Sequence, residues 1–284
     1  YLIPAFIGLI VLTYIPLIAV FGLSFFKWGG TGAPEWNGIN NYIKLFTTDP
    51  YFKESIKVTV YFSLLAVVGS MVYSLIVAML LNRKIPARGF FRAVFYLPYV
   101  LPAAAVYIGW SWLYNTEWGL FNYILSKLGI ERLMFVSSSS QVVPSLALIA
   151  VWLSGNLIVI FLAGLQNVPR VYHEAAEIDG ANAWQRFWHV TFPSMTPIIF
   201  YNMLMSLITN MQVVTPALAL TKGGPGKSSY FMSYMLYNYA FKQRGKIGLA
   251  CAIAFVLFLL IGAFTLLLFA TSKSWIFYEG GDDK

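Results

Sequence analysis

The chain has 284 residues, of which 59% are hydrophobic and only 11% charged. That balance excludes a soluble globular domain and marks an integral membrane protein. The net charge of +8 is scattered through short loops, which points to anionic lipid and not to nucleic acid. Two histidines and one cysteine, Cys251 inside an apolar run, leave no internal disulfide and no ligand spacing for a metal. The sequence starts at Tyr1 in apolar sequence without Met, so residues upstream are expected; no cleavable signal peptide is visible.

Crossing a bilayer takes about 20 apolar residues. Six segments qualify, at 2–26, 58–81, 91–114, 142–165, 197–220 and 247–271. The expected fold is all-α, one transmembrane domain over residues 1–284. The first long loop, 27–57, offers Trp28 and Trp36 as interface anchors. The second, 82–92, holds Arg83, Lys84, Arg88 and Arg92. Four cations in so short a loop assign it to the cytoplasm, and both termini with it. The longer loops carry more Lys and Arg in total, but short loops weigh most in that rule. Pro98 and Pro102 should bend or break the third segment. Residues 115–141 read as an external loop with one short surface helix near 120–128.

After the fifth segment comes Thr221-Lys222-Gly223-Gly224-Pro225-Gly226-Lys227-Ser228-Ser229. Gly226-Lys227-Ser228 copies the end of a nucleotide-binding loop. The full motif needs Gly at 221, a preceding strand and a soluble α/β setting. Thr221 after a membrane segment fits a Gly/Pro turn instead.

Residues 169–197 are polar, carry both histidines and separate two apolar segments. Pro169 can open a helix at its first position. Glu174 and Glu177 fall near its start, where the dipole favours negative charge. Gly180 can end it in a left-handed conformation. A second short helix, 183–189, leads to Pro193. A chain that only needed to turn here could do so in a few residues, so the length predicts a docking surface.

The same residues carry a resemblance. Glu174-Ala175-Ala176, three residues, Gly180, nine residues, Val190, one residue and Phe192-Pro193 resemble the EAA loop, residues 169–193 here, of ABC importer permeases. Val190 and Phe192 stand where that pattern has Ile and Leu. The context Glu177-Ile178-Asp179-Gly180-Ala181 is similar to the carbohydrate-type, MalF-like branch. The loop order in 27–57 and the Gly-Gly-Pro turn resemble it too. The resemblance implies the type I importer permease fold, with Glu174, Ala175, Ala176, Asp179 and Gly180 in a coupling helix docked on a separate ATPase subunit. It implies further partners: a second similar permease, two ATPase subunits that hold ATP and Mg, and an extracytoplasmic sugar-binding protein. It also implies a multi-pass protein of a prokaryotic inner or plasma membrane. No cofactor is expected in this chain itself, and no enzymatic activity.

None of the acidic residues falls in an expected span. Buried carboxylates usually mark ion or proton paths in carriers, so energy should enter from outside the chain. Polar, uncharged residues do occur at depth. Asn202, Ser206, Thr209 and Asn210 follow i, i+4 and i+3 spacing and share one face of the fifth segment. Trp152, Ser154 and Asn156 lie in the fourth, and Tyr99, Tyr107 and Trp110 in the third. Amides and hydroxyls suit sugar hydroxyls, and aromatic faces suit a pyranose; the same groups also glue helix to helix. Counted back from the Gly-Gly-Pro turn, Ser206 and Asn210 match a Ser and Asn that line the sugar site of the maltose permease. Asn156 and Gln212 match by looser spacing, and Val213 replaces a polar residue. The expected substrate set is therefore Ser206, Asn210, Gln212, Asn156 and Asn202. Alternatives are an ABC permease for another solute such as glycerol phosphate, a stand-alone carrier or channel, and a membrane enzyme. No convergent catalytic set is found for the last.

Overall fold

The computed structural model describes residues 2–243 and 245–277. The first helix, Ile3–Leu23, is apolar on every side and none of it is buried. Its π turn at Ile10–Tyr14 sits just ahead of Pro16, whose missing N–H disturbs the ladder one turn upstream. A two-stranded hairpin follows, pairing Phe26 with Trp36 and Lys27 with Glu35. Asn41, buried, ties this hairpin to the helix end: its amide donates to Ser24 O at 2.8 Å and to Phe26 O at 2.9 Å. The C-terminal end of the expected 27–57 loop is helical, because the next helix begins at Phe52.

That helix, Phe52–Asn82, is 31 residues long, about 46 Å at 1.5 Å per residue. Asp49 Oδ1 accepts from the N–H groups of Tyr51 and Phe52, at 2.9 and 3.1 Å, satisfying orphan donors of the first turn. The other carboxylate oxygen accepts from the Tyr239 hydroxyl. Burial, then this hydrogen bond, push the Tyr239 hydroxyl above the ordinary tyrosine value, so it stays a donor. Ser55, Thr59, Ser63, Ser70 and Ser74 are all buried along the helix. Small residues of this kind let neighbouring helices approach closely. Thr59 Oγ1 accepts from Met232 N at 2.9 Å, and Ser74 Oγ lies 2.9 Å from Ser154 Oγ.

Two expected spans are broken. Arg88–Val100 and Ala103–Leu113 meet at 99°, with Leu101 and Pro102 between them. Pro98 sits inside the first of these helices and does not interrupt it, so the break belongs to Pro102. Val142–Trp152 and Gly155–Asn167 meet at 49°. Gly155 is required there: a Cβ would lie 2.9 Å from Phe95 O and 3.1 Å from the Tyr96 backbone. The surface helix expected near 120–128 forms as Leu120–Lys127.

The fifth expected span, 197–220, is corrected. Helical backbone runs without a break from 183 through the π turn Phe187–Thr191 and on through Phe192–Met211. It stops at Gln212; Ala217–Thr221 is a separate turn. Non-helical backbone at Val213 and Val214 separates it from the second stretch, which becomes helical again at Thr215 and Pro216. Among the described residues, three helices are long and apolar enough to cross a membrane alone: Ile3–Leu23, Phe52–Asn82 and Ile247–Ser272. The bent pairs raise the number to five. Phe192–Met211 has the length, but its polar face keeps it out of that set.

The expected 221–246 loop is also more than a loop. It opens with the anticipated Gly/Pro turn, in which Ser229 Oγ donates to Thr221 Oγ1 and to Gly224 O. It then turns inward. Phe231, Met232 and Met235 are fully buried and pack in the main core with Phe62, Leu146 and Ile253.

Candidate functional site

Two places carry functional chemistry. The first is a cavity of about 480 Å³ enclosed by the bent pairs, the long helix and Phe192–Met211. Its walls include both helix breaks, through Leu101 and Ala103 at one and Leu153 and Ser154 at the other. Broken membrane helices are tolerated where they line such a space. Asn156, Asn202, Ser206 and Asn210 all face it, together with Thr209 and Ser70. Tyr99, Tyr107 and Tyr201 add aromatic surface. No charged side chain lines it among the described residues.

Asn202 stands out. It is fully buried, and neither its Oδ1 nor its Nδ2 has a hydrogen-bond partner among the described residues. Leaving such a group unpaired costs about 1–3 kcal/mol. Asn210 is different: its Nδ2 donates to Ser206 O at 2.8 Å and to Ser206 Oγ at 3.1 Å. That bond spans i to i−4 along one helix, so it organises the polar face without joining two helices. Gln212 is not brought to the cavity. It lies past the helix end and faces an apolar groove with Ser233, Leu257 and Ile261. Trp110 and Trp152 also miss the cavity; they pack on each other in the core, ring centroids 5.6 Å apart.

The second place is the segment after Asn167. Its helix is Arg170–Ile178, with Pro169 as the N-cap and not the first helical residue. Glu174 and Glu177 are therefore mid-helix and last-turn residues, and the first turn holds no acid. The dipole argument for them fails. Glu177 instead pairs with Arg186 of the following helix. Gly180 ends the helix at φ +78°, as expected, and Ala181 N donates back to Ala176 O at 2.9 Å. Asn182 and Gln185 form a reciprocal capping box that starts the next helix. Ala176, Asp179 and Gly180 line a shallow depression with Arg186 and His189. Val171, Ile178 and Trp184 are 68%, 86% and 69% exposed. Such apolar exposure on a polar segment marks a contact surface.

This segment shares one end of the molecule with the basic 82–92 loop. His173 and Arg186 border the same pocket as Asn82 and Arg83. The described part of the C-terminal tail is there too, since Phe277 N donates to Thr196 Oγ1 at 2.9 Å. The hairpin, by contrast, is pinned to the start of the last helix, Gly248 N donating to Trp28 O at 3.1 Å. It occupies the opposite end.

A family model described as the binding-protein-dependent transport system inner membrane component matches residues 70–274. The chain belongs to this family. Among curated relatives, the probable ABC transporter permease protein YesP of Bacillus subtilis is 36% identical over 99% of this chain and 91% of its own. The multiple sugar-binding transport system permease protein MsmF of Streptococcus mutans is 36% identical, covering 97% and 94%. The trehalose/maltose transport system permease protein MalF of Thermococcus litoralis is 29% identical, covering 93% and 90%. A crystal structure of a bacterial ABC transporter that imports the acidic polysaccharide alginate superposes with a TM-score of 0.80 at 20% identity, over 96% of this chain and 93% of that one. That likeness shows the fold.

As an inner-membrane permease of this family, the chain is a transport component. Sequence reasoning missed Tyr201 and Ser70 on the cavity wall. Helical spacing could have found Tyr201, which lies four residues before Met205 and eight before Thr209 on the same helix. Ser70 belongs to the buried small-residue stripe of the long helix.

Proposed function

We propose that this chain is one permease subunit of an ATP-driven importer for a neutral sugar or oligosaccharide. The observation that carries the reading is Asn202, whose buried amide has an unpaired donor and an unpaired acceptor beside a cavity of uncharged polar and tyrosine side chains. A sugar hydroxyl can accept from one and donate to the other. The relatives named for multiple sugars and for trehalose and maltose support the same substrate class. An anionic solute would call for Arg or Lys in the cavity, and its lining offers neither.

In this reading two ATPase subunits bind ATP and Mg outside this chain, and Arg170–Ile178 docks in a groove of one of them. ATPase closure pushes that helix. Because helical backbone continues from 183 to 211, a push at the segment reaches Asn202 and Asn210 through one rigid rod. The cavity then opens to the outer side, a binding protein delivers sugar, and hydrolysis resets the bundle. The unburied first helix supports a second permease, which would cover it. The membrane is a prokaryotic inner or plasma membrane, with both termini cytoplasmic.

The test is reconstitution of the assembled transporter in vesicles with its binding protein and a panel of labelled neutral sugars. ATP-dependent accumulation of at least one sugar is expected in the wild type and should fall at least tenfold in Asn202→Leu. Accumulation that proceeds without ATPase subunits, or that ignores Asn202, would overturn the proposal.

A further inference from the structure

At the end opposite the coupling segment lies a second polar pocket, of about 600 Å³, separate from the cavity. It is lined by Lys27, Lys44 and Lys246, by Asn37 and Asn40, and by Trp28 over a floor that includes Leu249. Its walls come from three separate parts of the chain, held together by built contacts. Gly248 N donates to Trp28 O, and Asn41 fixes Ser24 and Phe26. Gly29 lies against Gly245, where an added Cβ would come within 2.8 Å of its Cα.

The electrostatics are one-sided. Lys27 lies 3.8 Å from Glu35, but both side chains are more than 70% exposed, so that pair neutralises little. Neither Lys44 nor Lys246 has an ion pair among the described residues. Lys246 rests over the Tyr239 ring and donates to Gln243 Oε1 at 2.6 Å, contacts that hold it without cancelling its charge. Asp49, the nearby carboxylate, keeps its negative charge but is turned to Tyr51, Phe52 and Tyr239, which leaves the three lysines in excess of Glu35 and Asp49. The start of Ile247–Ser272 adds the positive end of a 26-residue helix. Asn37 and Asn40 are amide donors beside the lysines.

The depth of the pocket selects the ligand. It lies where the first helix has just ended at Leu23 and the last begins at Ile247. Both helices are long and apolar enough to cross the bilayer, so their ends sit at headgroup level. Trp28 in the lining is the residue type favoured there. We propose that Lys27, Lys44 and Lys246 bind a phosphate oxyanion carried by the headgroup of an anionic lipid, in the leaflet opposite the coupling segment. The lipid would brace the first helix against the last, which it otherwise meets mainly along one face. This inference rests on family membership in the membrane and not on the identity of the solute, so its failure leaves the sugar reading intact.

The test uses the whole transporter in nanodiscs containing phosphatidylglycerol and phosphatidylcholine. Native mass spectrometry should find phosphatidylglycerol retained at least about tenfold over phosphatidylcholine. The triple variant Lys27→Gln/Lys44→Gln/Lys246→Gln should abolish that preference. Equal retention of the two lipids by the wild type, or an unchanged preference in the triple variant, would overturn the proposal. Should the triple variant not assemble, acylation of Lys44 and Lys246 in the wild type replaces it. Phosphatidylglycerol nanodiscs should slow their labelling at least fivefold relative to phosphatidylcholine alone; equal labelling rates would be the contrary result. Protection by inorganic phosphate in pure phosphatidylcholine as strong as that by phosphatidylglycerol would identify free phosphate as the ligand and overturn the lipid assignment.

Discussion

Asn202 places an unpaired amide against the cavity. Its buried amide destabilises the empty protein while offering a donor and an acceptor to the cavity. Asn202→Leu, which keeps the branched shape in somewhat larger apolar groups and has the cavity beside it, should therefore raise stability by about 1–3 kcal/mol, read as a higher unfolding temperature, while uptake falls. A variant that lost both stability and uptake would make Asn202 a packing residue. Asn210→Ala removes the two bonds to Ser206 and should cost about 0.5–1.5 kcal/mol. Its uptake should slow several-fold with assembly intact; unchanged uptake kinetics would reduce Asn210 to a helix stabiliser. The four polar residues of this face were legible because helical spacing alone puts Asn202, Ser206 and Asn210 on one line. Gln212, named by its looser match to the sugar site of the maltose permease, lies outside the cavity because the helix ends at Met211.

At the scale of elements, the coupling segment is two short helices joined at Gly180. A Cβ at Gly180 meets nothing within 4 Å, so a substitution there acts through its φ of +78° alone. Gly180→Val should cost about 1–2 kcal/mol for left-handed backbone, re-aim Arg170–Ile178 and leave the spans inserted. ATP hydrolysis should continue while uptake fails; normal uptake would argue against docking. Arg186→Ala removes the partner of Glu177. That pair is part-exposed, so it contributes at most about 1 kcal/mol. The expected readout is a lower ratio of sugar moved to ATP hydrolysed, with little change in unfolding temperature. An unaltered ratio would show that the pair does not hold the two helices in register. The segment, the Gly180 stop and the Pro102 break were written in local chemistry. The inward turn of residues 230–237 was not. The run Tyr230-Phe231-Met232-Ser233-Tyr234-Met235-Leu236-Tyr237 is too short to span and reads as loop. Only its packing against Phe62 and Leu146 makes it core. The acidic residues misled for a related reason: Glu177 answers to Arg186 across a turn, a contact that outweighs the dipole preference.

Across the whole molecule, the two surfaces are joined by one continuous helical stretch from 183 to 211, with the cavity partway along it. Membership in the transport family came from the spacing of a few residues, whereas the cavity depends on how two broken helix pairs are arranged around it, which composition hides. The central claim is that force from a separate ATPase enters through Arg170–Ile178. Ile178→Cys tests it most directly. Ile178 is 86% exposed, and the chain's own Cys251 is buried, so the new thiol is the accessible one. In the assembled transporter, a thiol cross-linker should join it to an ATPase subunit, halt uptake, and release both on reduction. A thiol that reacts only with reagent added from outside the cell, or that links to no ATPase while uptake proceeds, would contradict the account.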